Sequence, residues 1–196
     1  MSDSHVLETD AVPIPVLSGD GFIIRPFQSS DRHSLQSALN DPLVTQRLTN
    51  IPQPYTYADA WNWICHSDKL VQENSKRVSF AIIIDDQVAG SVSFINVDML
   101  QQNAQLSIWV ARKHWGKGIA GKAIKLLLQF GFEKLGLYRV FAFYVEDNIK
   151  SKSMLKKLGF QVEGVHRKEW KKLVDGEWKR FDSVHCSLLK PEWEGE

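Results

Sequence analysis

The chain has 196 residues, with 24 basic and 23 acidic side chains, so its formal net charge of +1 gives no general attraction to nucleic acid. With 43% hydrophobic residues and no run of 18 apolar residues, it is typical of a globular domain and contains no candidate for a membrane-spanning helix. The polar, acidic start does not resemble a signal peptide. Two cysteines, Cys65 and Cys186, give no disulfide framework, so a cytoplasmic protein is expected.

The first half of the chain is expected to begin with a flexible leader, followed by a strand, two helices and a hairpin. Pro26 ends the first strand, because proline lacks the N–H that a strand needs. Ser30 and Thr56 are suitable caps for the two helices. The predicted elements are a leader at 1–16, a turn at 17–21, a strand at 22–26, helices at 30–39 and 56–71, and strands at 78–84 and 88–97.

The second half is expected to alternate strands and helices. Its first helix is apolar on most of its surface, which is typical of a helix that packs on a sheet. Gly136 and Gly159 follow the two helices, as glycine commonly does at helix C-termini. The predicted elements are strands at 104–110 and 138–145, helices at 118–134 and 149–158, a strand that starts at 160, a hairpin turn at 174–176 and a last strand at 178–189.

This order of elements predicts an α/β (α+β) fold. A single domain is expected over residues 17–190, between the leader at 1–16 and an acidic tail at 191–196. The order strand, two helices, three strands, helix, strand, helix, two strands favours a mixed, mostly antiparallel sheet with helices on both faces. One pair of neighbouring strands is expected to be parallel.

A basic, glycine-rich loop between a predicted strand and a predicted helix is the most distinctive stretch of the sequence. Gly116, Gly118 and Gly121 lie close together, and glycine lets a ligand approach the main chain. The following helix directs its unpaired N–H groups and its positive dipole end towards this loop. Residues 99–132 contain Lys and Arg but no Asp or Glu. The loop is therefore predicted to bind a phosphate or pyrophosphate.

The spacing of the loop separates it from two common nucleotide-binding motifs. An ATP-binding or GTP-binding loop needs Ser or Thr after Gly-Lys, whereas Ile119 follows Gly118. Residues 116–121 match the bare Gly-x-Gly-x-x-Gly pattern, but no acidic ribose partner follows about 20 residues later. The segment 115–120, Trp-Gly-Lys-Gly-Ile-Ala, instead resembles the acetyl-CoA loop of the GCN5-related N-acetyltransferases, the GNAT family. Its aromatic residue before Gly-Lys-Gly resembles the RimJ/RimL branch, which acetylates ribosomal-protein N-termini.

A second segment resembles the other signature of this family. Asn148 is followed by Ser151 and, eleven residues after Asn148, by Gly159 of a Leu-Gly-Phe sequence. Asn148 and Gly159 are also ordinary helix caps. The resemblance implies that the intervening helix lies along the pantetheine arm and that Ser151 protonates the leaving thiolate. Leu155 occupies the position where many members have a Tyr for this role. Alternatively, Ser151 only bonds to the first helical turn.

The resemblance also implies how acetyl-CoA binds. In the family, two neighbouring parallel strands separate and receive the acyl-pantetheine, and here these would be 104–110 and 138–145. A backbone N–H near Ile108 or Trp109 would stabilise the oxyanion. The residues expected to bind acetyl-CoA are Ile108, Trp109, Val110, Lys113, Trp115, Gly116, Lys117, Gly118, Ile119, Ala120, Gly121, Asn148 and Ser151.

The general base is not evident from the sequence. Many relatives have Glu at the start of the first separated strand, where this chain has Gln105, which cannot accept a proton. Asp98, Glu146 and Glu169 are the remaining carboxylates near the expected site. Glu169 is the predicted catalytic base, because the RimJ/RimL branch can supply a base from this late segment. A water relay without a single base is the alternative.

No metal site is predicted. Cys65-His66 and His185-Cys186 are adjacent pairs without the spacing of a zinc motif. Adjacent strand residues point to opposite faces, so neither pair can readily share a ligand.

Two aromatic features are candidate binding surfaces. The hairpin at 167–180 combines basic and aromatic residues, but three acidic residues dilute its charge, so a solvated hairpin is favoured over RNA binding. Trp61 fits the apolar stripe of the second helix. Trp63 does not, and it is the better candidate to line the acceptor mouth.

The predicted function is N-acetyltransferase activity, with direct transfer from acetyl-CoA to a primary amine in a ternary complex. The amine is expected to be a protein N-terminal α-amino group, as on a ribosomal protein. Acetylation of a small amine, amino acid or antibiotic is the first alternative. A non-catalytic acyl-CoA-binding module is the second, because Gln105 and Leu155 depart from common family residues. The expected partners are acetyl-CoA and the acceptor, without metal, membrane or nucleic acid. Homodimerisation is left open.

Overall fold

The computed structural model describes residues 12–46, 48, 51–67, 77–174 and 176–193. The strands form one eight-stranded sheet in the order β1-β2-β3-β4-β5-β6-β8-β7. None of the helices in these ranges combines the length and apolarity that a bilayer crossing requires. The strands are β1 (Leu17–Gly19), β2 (Phe22–Arg25), β3 (Arg77–Ile84), β4 (Gln87–Asp98), β5 (Asn103–Val110), β6 (Arg139–Val145), β7 (Gln161–Val174) and β8 (Glu177–Leu189). The α-helices are α1 (Arg32–Leu39), α2 (Pro42–Thr45), α3 (Tyr57–Ser67), α4 (Ile119–Glu133), α5 (Ile149–Lys157) and α6 (Lys190–Trp193), and 3₁₀ turns cover Ser29–Asp31 and Arg112–His114.

The sheet is antiparallel except where β5 meets β6. These two strands pair only over residues 103–105 and 139–141. Beyond that point β5 remains bonded to β4 as far as Val110, and β6 remains bonded to β8 as far as Val145. A gap therefore opens between β5 and β6. The predicted mixed sheet with one parallel pair is confirmed.

Apolar side chains on one face of the sheet pack against α4. Ile124, Leu127 and Leu128 of this helix are fully buried, and each such side chain contributes about 1.5–3 kcal/mol to stability. The helix approaches β4 closely because Gly131 has no side chain. A Cβ at Gly131 would lie 2.6 Å from Cζ of Phe94. The prediction of an apolar helix against the sheet is confirmed.

The opposite face of the sheet carries a second core under α1 and α3. The start of α1 is fixed to β2 by two bonds from the Arg25 guanidinium to the Asp31 carboxylate, at 2.8 and 2.9 Å. Both side chains are largely buried, and the two-point contact sets their relative orientation. This second core includes Trp109, which lies in the part of β5 that no longer pairs with β6. The helices α1 and α3 therefore cover the sheet next to the gap.

Several elements at the ends of the chain differ from the sequence predictions. Residues 17–19, predicted as part of a turn, form β1, because the actual turn is at Asp20 and Gly21 and lets β1 pair with β2. Within the predicted leader, Val12 and Ile14 pack against the first core. The predicted tail includes part of α6, whose Trp193 contacts the ring of Phe132 at 6.1 Å.

The helix predicted over 56–71 is observed as α3, and residues 68–71 lie outside the described residues. The expectation that Trp61 belongs to the apolar stripe is wrong. Its side chain is 41% exposed, and the Arg32 guanidinium lies 4.5 Å from its ring centroid. The buried stripe is instead formed by Ala60, Ile64 and Ser67.

Candidate active site

The loop between β5 and α4 presents unpaired backbone N–H groups to solvent. The first bond of α4 is donated by Lys122 N–H to Gly118 O at 3.2 Å, so the N–H groups of residues 119–121 have no partner within the helix. Gly116 and Gly118 have φ of +78° and +74°, which side-chain-bearing residues rarely adopt. A Cβ at Gly121 would meet no atom within 4 Å, so space is open above the first turn. An anionic group can therefore approach these N–H groups.

Basic side chains surround this loop. Lys122 forms an ion pair with Asp20 at 2.6 Å, and this hydrogen bond lowers the pKa of the Asp20 carboxyl. The pKa of His114 is lowered, first by burial and then by the charges of Lys113 and Lys117. Among the described residues, no carboxylate lies within ion-pair distance of Lys117. The loop thus has a positive field and a cation available for a ligand.

Trp115 connects the loop to the neighbouring elements. Its indole Nε1 donates a 2.6 Å hydrogen bond to Val110 O, at the end of β5. This stretch of β5 does not pair with β6, so the indole N–H takes the place of a β6 donor to Val110 O. The Lys150 ammonium, at the start of α5, lies 5.7 Å from the centroid of the Trp115 ring. Trp115 therefore lies where the loop, β5 and α5 meet.

The start of α5 is capped by Asn148. Its Oδ1 accepts a 3.2 Å hydrogen bond from Ser151 N–H. The Ser151 side chain is half-buried, and no hydrogen bond to its hydroxyl is found among the described residues. The hydroxyl therefore does not bond the first helical turn, and it can donate to a ligand. Leu155 is 4% exposed and belongs to the first core.

The backbone of β5 directs alternate N–H groups into the gap. Ala111 N–H donates to Ala89 O of β4 at 2.7 Å. Because successive N–H groups of a strand point to opposite sides, Trp109 N–H also faces β4. The N–H groups of Ile108 and Val110 then face the gap left by β6. Of the two predicted oxyanion donors, Ile108 has the required direction.

Two cavities lie on the face of the sheet that α1 and α3 cover. The inner cavity, about 110 Å³, lies against β5, and Arg77 is the one charged side chain among the described residues that line it. The outer cavity, about 580 Å³, lies along α3, and the two share Ile51, Trp63 and Arg77. Trp63 therefore lines both cavities, and its place at the acceptor mouth remains a prediction. The inner cavity is lined by Leu39, Leu48, Ile51, Trp63, Arg77, Ser91, Ser93, Ile95, Ser107 and Trp109.

Polar groups around these cavities are incompletely paired. Trp63 Nε1 and Tyr55 Oη are buried and have no hydrogen-bond partner among the described residues. Burial, followed by the charge of Asp59, raises the pKa of Tyr55 to about 12, so its phenol stays protonated. Ser91 donates to Phe80 O at 3.0 Å within the sheet. Unpaired buried donors are costly, and such groups commonly mark a binding site.

Glu169 lies in a hydrogen-bonded cluster on β7 and β8. Its carboxylate accepts from the Ser183 hydroxyl and contacts His185 Nε2 at 3.0 Å and His166 Nδ1 at 3.1 Å. These bonds, in that order, lower the pKa of Glu169 to about 2. A carboxylate this acidic holds a proton weakly, which weighs against Glu169 as the base. Its assignment as base remains a prediction.

The same cluster contains potential metal ligands. One ligand atom from each of His166, Glu169 and His185 lies within 4.8 Å of the others. The two imidazole rings are stacked, however, with centroids 3.7 Å apart and an interplanar angle of 24°. His166 Nδ1 and His185 Nε2 already contact the Glu169 carboxylate, so a metal ion would have to replace these contacts. The geometry is that of a carboxylate–imidazole network.

Strand β6 lies between this network and the gap. His185 is opposite Phe143 of β6, and their rings are stacked at 5.5 Å. The Trp170 ring also contacts Phe143, with ring centroids 5.3 Å apart. The sequence did not indicate the pairing of His166 with His185, because the two residues meet only through the register of β7 and β8.

The other candidate carboxylates have structural partners. Asp98 accepts from Gln101 N–H at 2.9 Å, and Glu146 accepts from Asp182 N–H at 3.2 Å. Gln105 stands where many relatives have a Glu. Its Oε1 accepts a hydrogen bond from Asn96 Nδ2 at 2.9 Å. Cys186 is buried, and burial raises the pKa of its thiol to about 11. His185 and Cys186 point to opposite faces, as expected.

Comparison with known proteins identifies relatives of this chain. Residues 22–161 match the family model described as the acetyltransferase (GNAT) domain. A Bacillus subtilis protein, YdaF, whose name assigns it as a ribosomal N-acetyltransferase, is 34% identical over 119 residues, which are 61% of this chain and 63% of the relative. The matched segment is thus less than two thirds of that relative's length.

Two further similarities extend over most of the chain. The N-acetyltransferase p20 of Bacillus licheniformis, named as uncharacterised, is 30% identical over 173 residues, which are 88% of this chain and 94% of the relative. The solved structure of a Vibrio cholerae spermidine N-acetyltransferase in complex with CoA and spermine has a TM-score of 0.74. It shares 18% identity and covers 89% of this chain and 98% of that chain, so it shows a common fold.

Proposed function

Because the chain belongs to the GNAT acetyltransferase family and is an acetyl-CoA-dependent N-acetyltransferase, we propose that its acceptor is the α-amino group of a protein N-terminus. The inner cavity carries this proposal, because the described residues that line it, namely indole rings, aliphatic side chains, serines and Arg77, include no carboxylate. A polyamine brings further positive charges, which are costly to bury without acidic partners. A peptide N-terminus brings one amine followed by neutral amides, which serine hydroxyls can bond.

The donor side of the proposal uses the loop and the gap. We propose that the N–H groups of residues 119–121 and the Lys117 ammonium bind the pyrophosphate of acetyl-CoA. The arm would lie between β5 and β6 beside Asn148, where β5 has lost its neighbour. Ile108 N–H would then be available to the thioester oxygen as it becomes an oxyanion. The name of the Bacillus subtilis relative supports a ribosomal protein as the acceptor.

The proposed reaction is a direct transfer. The amine nitrogen forms a bond to the thioester carbonyl carbon, and the carbon–sulfur bond breaks as the oxyanion collapses. The Ser151 hydroxyl donates a proton to the leaving thiolate and regains one from water in the cleft. The amine's own proton leaves through water in the open cleft, since the pKa of Glu169 is about 2 and Gln105 cannot accept a proton. Glu169 then contributes by orienting His166 and His185.

An acceptor panel tests this proposal. Thiol release from acetyl-CoA is measured with peptides that have a free N-terminus, the same peptides with a blocked N-terminus, spermidine, and an N-blocked peptide with a free lysine. We expect turnover only with free N-termini. Turnover with spermidine or the lysine side chain, and none with free N-termini, would refute the proposal.

A further inference from the structure

Arg77 occupies the boundary between the two cavities. It is the first residue of β3, and it lines both the outer cavity and the inner cavity. The Trp63 ring holds it in place, since the guanidinium carbon lies 5.0 Å from the ring centroid. Stacking on an indole orients a guanidinium while leaving its N–H groups free to bond. Arg77 is the charged residue among the three, with Ile51 and Trp63, that line both cavities.

Among the residues that the structure describes, which do not include 68–76 directly before it, no carboxylate lies within ion-pair distance of Arg77. Asp59 also lines the outer cavity, but its carboxylate accepts from Thr56 N–H at 2.7 Å and Thr56 Oγ1 at 2.6 Å. Arg77 is exposed overall, and the partial desolvation of its guanidinium lowers its pKa.

The distance to the reaction site limits where a complementary anion can lie. Arg77 pairs with Ile95 and Ile95 pairs with Gln105, so Arg77 lies two strands from β5 and two residues short of Ser107. Strand spacing and rise place the Cα atoms of Arg77 and Ser107 roughly 12 Å apart. An extended arginine covers about half of that distance. The remainder matches the separation between a peptide's α-amine and a carboxylate on its second or third residue.

We propose that Arg77 selects acceptors that carry an acidic side chain at the second or third residue after the N-terminus. This inference rests on the proposed N-terminal acceptor and specifies its sequence. The guanidinium forms two parallel hydrogen bonds with the carboxylate, as arginine does with planar anions. Acidic peptides are favoured, and peptides with lysine at these positions are disfavoured by like charge.

The test compares kcat/KM for tetrapeptides that differ only in charge at position two or three: glutamate, glutamine or lysine. Wild-type enzyme should prefer glutamate over glutamine by about tenfold, which is the ratio produced by 1.4 kcal/mol. Arg77→Gln should abolish this preference, and Arg77→Glu should favour the lysine peptide. Arg32→Gln is the matched control, because Arg32 also stacks on a tryptophan of α3, at 4.5 Å, outside both cavities.

Wild-type enzyme provides a second measurement that needs no variant. Its preference for the glutamate peptide should weaken as ionic strength increases, because salt screens this partly exposed pair. Equal rates with glutamate and glutamine peptides at low salt would overturn the role of Arg77, as would an unchanged preference in Arg77→Gln. Such results would leave N-terminal acetylation intact. Failure of every free N-terminus, with turnover on small amines, would instead refute the proposed function.

Discussion

At the scale of single residues, Ser151 has a hydroxyl that is available for chemistry. Asn148 caps α5, and no bond to Ser151 Oγ is found among the described residues. Ser151→Ala should therefore lower kcat by about tenfold to a hundredfold, at the low end for a general acid because a thiolate leaves readily. The KM for acetyl-CoA should change little. Initial rates at varied acetyl-CoA check this, with the exposed Ser153→Ala as control. Equal effects of the two substitutions would contradict the acid role.

Glu169 is predicted to stabilise the fold in a pH-dependent way. Its pKa is lowered from 4.5 to about 2, so its stabilisation is fully present above pH 4.5 and is lost as pH falls towards 2. Thermal midpoints of wild type and Glu169→Gln should differ most near neutral pH and converge as pH approaches 2. The exposed Glu177→Gln serves as control. A difference that stays constant from pH 7 to pH 3 would show that the carboxylate network contributes nothing through its charge.

At the scale of structural elements, the loop and the start of α4 offer a clean test of ligand binding. Gly121 lies in the first turn, has an ordinary φ, and has open space around it. Gly121→Asp adds a carboxylate that suits a helix N-terminus, so folding should be retained. Acetyl-CoA affinity should fall by at least about tenfold through charge repulsion and steric overlap. Isothermal titration measures this, with Gly164→Asp, also in open space, as control.

The elements that the sequence predicted best are those whose signals are local. The loop at 116–121 and the cap at Asn148 depend on neighbouring residues, and both have the expected conformation. The stripe of α3 was misjudged at Trp61, because aromatic character does not reveal which side of a helix meets the sheet. β1 was read as a turn, because a strand this short is defined by its partner β2 and not by its own residues.

At the scale of the whole molecule, the acceptor side of the site was largely beyond sequence reasoning. Trp63, Arg77 and Ser107 come from α3, β3 and β5, and only the sheet order and the packing of α3 bring them together. Glu169 was identified by family resemblance, but its contacts with His166 and His185 depend on the register of β7 and β8. Long-range register is set by tertiary packing, which a residue pattern specifies only weakly.

The sheet as a whole consists of two antiparallel parts, β1–β5 and β6–β8, joined through three residues on each of β5 and β6. A ligand in the gap would therefore bridge the two parts. Acetyl-CoA at 100 times its Kd should stabilise the protein by about 2.7 kcal/mol. For a chain of this size, that corresponds to an increase in thermal midpoint of roughly 5–10 °C. Calorimetry measures the shift, and Gly121→Asp should reduce it.

Hydrogen exchange locates the same effect within the molecule. Acetyl-CoA should slow exchange at the amides of Ile108 and Val110, which face the gap, more than at Trp109, which faces β4. β6 beyond Phe141 should also gain protection from a filled gap. An increase in thermal midpoint without protection at Ile108 and Val110 would mean that acetyl-CoA binds outside the gap. The bridging role of the ligand would then be wrong, even though the loop binds an anion.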